Sequence, residues 1–256
     1  MTVLLVGVGA DTEHVKPALE LTSEGLFDYI PIPESYPTTE NETFGTWELP
    51  HRGGTAANYI EAIRPEGEDS EWNSDPEVIA SCPVHHDPNF EAMTFGDRRG
   101  GGGKGAALVD NLNQNDILGF YTGMREGPDD DNLNRYLYGY MTVKEVRDLS
   151  VMEGDAYHSE LREFPENAHT KRLEASGTPK HEDVVIVDGK EPTTKLDSPV
   201  KVGKRIEKRP WYQVTKEFAS QFAVRGGQKG IGRKFPLILE LDADEFLAKI
   251  ENHQLN

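Results

Sequence analysis

The pattern of apolar and polar positions predicts strands more often than helices. Residues 2–8 are a continuous apolar and β-branched run, which suits a strand buried on both faces. Residues 27–33 alternate and close on Pro31 and Pro33, as expected near a sheet edge, because proline donates nothing to a ladder. Residues 78–84 and 90–95 are strand candidates on either side of His85-His86-Asp87-Pro88. The strongest strand patterns are 116–122 and 136–146, joined by an acidic loop. In the second, Tyr136, Tyr138 and Tyr140 recur at every other position, and strict alternation puts them on one face. Further strands are expected over 183–187, turning at Asp188-Gly189, and over 235–241. Helical spacing covers 55–63, 104–112, 167–175 and 210–222, and a closing helix over 243–250 begins at Asp242 as its cap. Residues 34–52, 66–76 and 153–165 read as connections. No repeat or Ser/Gly linker divides the chain, so residues 1–256 are expected to form one α+β domain with a mixed, mostly antiparallel sheet and peripheral helices.

Composition supports a packed core and narrows the setting. Hydrophobic residues make up 36% of the chain, and 10 Phe, 9 Tyr and 3 Trp argue against disorder throughout. No run approaches the ~18 apolar residues of a membrane span. The N-terminus lacks the basic start and longer apolar stretch of a signal peptide. A cytoplasmic protein with no membrane partner is therefore expected. Cys82 is the single cysteine, which excludes an internal disulfide and a multi-cysteine zinc site.

Charge changes the picture most. The 45 acidic and 27 basic residues give −18, an acidic composition that suits a halophilic source. At molar salt the Debye length is about 3 Å, so net charge does not exclude a polyanionic partner. Local charge is more telling. Residues 200–235 hold ten Lys or Arg and two acids, a local +8, while the rest of the chain carries 17 basic and 43 acidic residues, −26. Within that segment Arg225, Lys229, Arg233 and Lys234 are interleaved with four glycines, which let a backbone approach a ligand closely and suit a nucleic-acid clamp. Pairing of the basic segment with the acidic body is the alternative.

Several motifs bear on chemistry. Gly7-x-Gly9 follows the first strand, but Thr12 stands where a dinucleotide fingerprint needs its third glycine. The run from Gly96 to Lys104 has the composition of a phosphate loop without its spacing. Asp11, His85, His86, Asp87 and Asp97 offer carboxylates and imidazoles for acid–base work. His158 and His169 lie far along the chain and no H-x-x-x-H helix pair occurs, so no metal is expected and no cofactor is specified. Phe120, Tyr121, Tyr138 and Tyr140 could be core, or a stacking platform worth about 1–3 kcal/mol per base. Asn167, His169, Lys171 and Arg172 cluster at a helix start, where they suit phosphate or base-edge contact.

The strand with Phe120-Tyr121, followed by Leu137-Tyr-Gly-Tyr-Met-Thr-Val143, resembles PUA-like barrels, especially EVE-type domains. More closely, the chain resembles the family called nucleotide modification associated domain 3. The matching pieces are the opening Val3-Leu-Leu-Val-Gly-Val8, Phe27-Asp-Tyr-Ile-Pro-Ile-Pro-Glu34, His86-Asp-Pro-Asn-Phe-Glu91, Thr94-Phe-Gly-Asp97, Phe120-Tyr121 and Asn167-Ala-His-Thr-Lys-Arg172. The resemblance implies a PUA-like curved sheet or barrel and a place in a DNA-modification or defence system. The function expected on this basis is recognition of a nucleotide or nucleic acid, such as a modified or flipped base. The alternatives are an enzyme that modifies the base, or a subunit that contacts other proteins of such a module.

Overall fold

The computed structural model describes residues 1–11, 13–65, 71–100, 103–127, 133–178, 183–206, 212–227, 230–232 and 236–255. The strands among these are β1 (Val3–Gly7), β2 (Val15–Lys16), β3 (Ile32–Pro33), β4 (Ala62–Ile63), β5 (Val84–His85), β6 (Thr94–Arg98), β7 (Ile117–Met124), β8 (Asn134–Asp148), β9 (Val184–Arg205), β10 (Tyr212–Val214), β11 (Gly230–Ile231) and β12 (Leu237–Leu239). The helices are α1 (Ala56–Tyr59), α2 (Pro76–Ser81), α3 (Gly105–Asn111), α4 (Gly154–Leu161), α5 (Ala168–Ser176), α6 (Lys216–Phe222) and α7 (Ala243–Gln254).

The main sheet runs β11-β10-β9-β8-β7-β1-β12. All its neighbours are antiparallel except β1 and β7. A parallel pair needs a crossover, and residues 8–116 supply it as a long excursion of short elements. β9 pairs with β8 along one side; its other side takes β6 near one end and β10 near the other. The α+β class and mostly antiparallel sheet agree with the sequence pattern. The expected barrel does not form among the described residues, because β11 and β12 end the sheet at opposite edges and do not pair.

The sheet is buried on both faces, as the unbroken apolar run of β1 requires. Leu4, Val6, Leu118, Phe120, Tyr138 and Met141 face the excursion and pack with Tyr29, Phe44, Trp47 and Phe90. Val3, Leu5, Tyr121, Leu137, Tyr140 and Val202 face the opposite way and pack with Phe218, Phe222 and Phe246 from α6 and α7. Tyr136, Tyr138 and Tyr140 therefore do not share a face. Phe120 pairs with Gly139 and Tyr121 with Leu137, so Tyr138 is an extra residue in β8. Such a bulge resets the alternation. It leaves Tyr136 and Tyr138 on one side and sends Tyr140 to the other.

Several local expectations change for local reasons. Residues 212–214 of the expected 210–222 helix are instead strand β10, paired with β9, and α6 starts after Thr215, whose side chain accepts the Phe218 N–H. Residues 76–81 are helical rather than extended, because Pro76 opens the first turn and the Asp75 carboxylate accepts the Glu77 N–H. Asp188-Gly189 is not a turn. β9 runs on to Arg205 because β8 offers it a partner along most of that length. The stretch 153–165 contains α4, which buries Tyr157 and Leu161.

The core assignment of Phe120 is testable. Its ring has no solvent exposure and meets Phe90 and Phe95. Phe120→Ala is expected to lower unfolding free energy by about 3–5 kcal/mol, measured by guanidinium denaturation followed by circular dichroism.

Candidate active site

Four separated segments converge beside the excursion-facing core. Glu34 follows β3, His85 ends β5 and leads into Asp87, Gly96 and Asp97 lie on β6, and His169 and Arg172 lie on α5. Pairing of Ile32 with His85 and Pro33 with Val84 brings the first two together. The start of α5 is fixed by Asn167, whose carbonyl oxygen accepts the His169 N–H at 3.0 Å and whose amide reaches Thr94 of β6 at 3.4 Å.

Glu34 is the fixed point of this arrangement, with only 1% of its side chain exposed. Arg172 donates to both of its oxygens, from Nε at 2.8 Å and Nη2 at 2.9 Å. The Ser35 and Tyr36 N–H groups donate to Oε1, and His85 Nδ1 lies 3.0 Å from Oε2. Burial opposes ionisation, but His85 and Arg172 outweigh it and hold the carboxyl well below the usual carboxylate range. An ionised Glu34 can only accept, so His85 Nδ1 is the donor of this hydrogen bond.

Asp87 is in the opposite condition. Burial pushes its pKa well above the ordinary value, against the pull of the Gly96 N–H, which donates to both carboxylate oxygens at 2.8 and 3.0 Å. His169 Nε2 stands 3.8 Å from Asp87 Oδ2, and the His85 and His169 rings meet edge to face at 5.5 Å. One donor atom from each of His85, Asp87 and His169 lies within 4.8 Å of the others. Gly96 permits this approach, since a Cβ there would stand 2.6 Å from His169 Cδ2. Asp97 and Lys104 form a 2.7 Å ion pair beside the cluster. Tyr29 stacks on Tyr138 at 5.0 Å, and its hydroxyl donates to the Asp87 carbonyl at 3.4 Å. Burial raises both phenols, so they remain protonated.

The other nominated residues fall elsewhere. His86 turns away from its neighbours onto Trp47, with Glu42 Oε2 3.5 Å from Nδ1, and burial holds its pKa at about 4. Asp11 accepts the Glu13 N–H and pairs with His14 at 3.2 Å. Phe120, Tyr121 and Tyr138 are wholly buried, and Tyr140 packs on Phe246. The helix start at Asn167 faces inward: Asn167, His169 and Arg172 are buried, and Lys171 pairs with Glu40 and Glu166. Arg225 is exposed, whereas Lys229, Arg233 and Lys234 lie outside the described residues. Glu34 and Tyr29 were not singled out from the sequence, although both stand within the motifs that carry the resemblance, and Gly96 and Lys104 stood out there only as the ends of a run with the composition of a phosphate loop. A surface groove of about 560 Å³ lies apart, between Leu112, Asn113, Lys144 and Asp148.

The cluster is the main gathering of buried acids and bases among the described residues, on an α+β frame. The family model described as nucleotide modification associated domain 3 matches residues 2–223. The chain belongs to this family, which associates it with nucleotide modification. No curated protein and no solved structure matches it. Among the described residues no helix is long and apolar enough to cross a membrane.

Two substitutions test the packing of the site. Arg172→Ala strands the buried Glu34 carboxylate and is expected to cost about 3–5 kcal/mol of stability. Gly96→Ala drives a methyl group against His169 and should cost about 1–3 kcal/mol. Denaturation curves measure both, and the ring resonances of His169 should shift in the second variant.

Proposed function

We propose that this chain is an enzyme that modifies a base or nucleotide within a DNA-modification system, with His85, Asp87 and His169 as its reacting groups. The observation that carries this reading is the placement of a buried carboxyl, its pKa pushed upward by burial, against two imidazoles from distant segments. Burying such groups is unfavourable unless they are paired, and perturbed carboxyls beside imidazoles are what proton transfer requires. Asp87 and the two imidazoles act on the reacting group as one set.

Glu34 and Arg172 orient His85 and do not themselves react. Lys104 and Asp97 stand at the border of the cluster, where a phosphate or base edge would approach. The exposed Arg225 and the basic segment around it support contact with a polyanion. Stacking of a flipped base by Phe120, Tyr121, Tyr138 and Tyr140 has less support, since these rings are filled into the core from both faces of the sheet.

The test compares nucleosides from enzymatically digested host DNA and from the nucleotide pool by mass spectrometry. A strain with the wild-type chain is expected to contain a modified nucleoside. Strains with Asp87→Asn or His85→Ala should lose at least 100-fold of it, while the variant proteins stay folded by circular dichroism. An unchanged yield in both variants would overturn the assignment.

A further inference from the structure

We propose that His85, Asp87 and His169 hold a divalent first-row transition-metal ion, with Glu34 as the outer partner that orients His85. The inference deepens the proposed function and rests on the same cluster, but it stands on geometry alone. The donor atoms already lie within 4.8 Å of one another. Ligands about 2.0–2.2 Å from a common zinc ion are themselves a little over 3 Å apart, so small side-chain rotations complete the set. The 3.8 Å between His169 Nε2 and Asp87 Oδ2 is too long for a hydrogen bond and fits two ligands of one ion.

The shell around the donors has the form that metal ligands need. His85 presents Nδ1 to the Glu34 carboxylate at 3.0 Å, a carboxylate–histidine arrangement that fixes the ring and makes Nε2 the ligating atom. Glu34 is in turn held by two bonds from Arg172. Among the described residues, the N–H that donates to the Asp87 carboxylate is that of Gly96, and an ionised carboxylate offers further lone pairs on both oxygens. Two imidazoles and a carboxylate select zinc, iron, cobalt or manganese over calcium or magnesium. Three protein ligands leave further positions on the ion for water or a nucleotide atom.

The test titrates untagged, chelator-stripped chain with Co²⁺ alone, without nucleotide. One equivalent is expected to bind with visible d–d absorption. His85→Ala and His169→Ala should each weaken binding by more than about 100-fold, beyond the ~10–100-fold effect of losing an outer partner. His253→Ala, on the exposed face of α7, should bind as the wild type does. The wild-type protein supplies a second readout that needs no variant: the ¹⁵N imidazole resonances of His85 and His169 should move on adding Zn²⁺, and those of His253 should not.

Failure to bind either ion, or unmoved His85 and His169 resonances, overturns the metal site. So does wild-type affinity in the folded alanine variants. A chelator-stripped chain that still produces the modified nucleoside in an Asp87-dependent way would overturn the metal and leave the catalytic reading standing. Stoichiometric binding together with unchanged nucleoside yield in Asp87→Asn and His85→Ala would do the reverse.

Discussion

The bidentate pair between Arg172 and Glu34 joins residues 138 positions apart, and the site depends on it. Neither charge is stable in an apolar setting alone. Together they tie α5 to the end of β3, and they do so at the point where His85 needs an acceptor. Release of this pair would free the ring of His85 and loosen the helix that carries His169. The cation of Arg172 also covers Tyr36, with the guanidinium 4.9 Å from the ring centre. The same side chain thus serves packing, charge balance and orientation.

Much of the frame was legible from local pattern. The unbroken apolar run of β1 implies burial on two sides, and the structure places core residues on both. The strands at 116–122 and 136–146 and the helix capped by Asp242 lie close to their expected positions. The tyrosine face was misread because the bulge at Tyr138 leaves no trace in composition. Barrel closure was misread because pairing between sheet edges is a long-range property. Helix α2 was hidden by its apolar residues, although Asp75-Pro76 is a start signal that outweighs them.

The site was legible in its parts and not in its assembly. His85 and Asp87 stood out as adjacent acid–base residues, yet His86 between them faces away, since successive side chains of an extended segment point to opposite sides. His169 was noticed in the setting of a phosphate-binding helix tip. That tip turns inward, which no helical periodicity over 167–175 could reveal. Glu34 looks like an ordinary surface acid in sequence, and only the pairing of β3 with β5 gives it a role. Net charge likewise describes the average surface, whereas the cluster is a balance of a few buried charges.

The match to the family ends at residue 223, and the fold does not. β12 supplies the antiparallel neighbour of β1 on the side away from β7, with Leu5 opposite Leu237 and Val3 opposite Leu239. Phe246 and Ile250 of α7 fill the far face of the sheet beside Tyr140 and Phe222. A fragment cut at the family boundary would open one edge of the central strand to other chains and uncover an apolar wall. The smallest unit that can be expressed and engineered as a self-sufficient body therefore reaches at least to the end of α7.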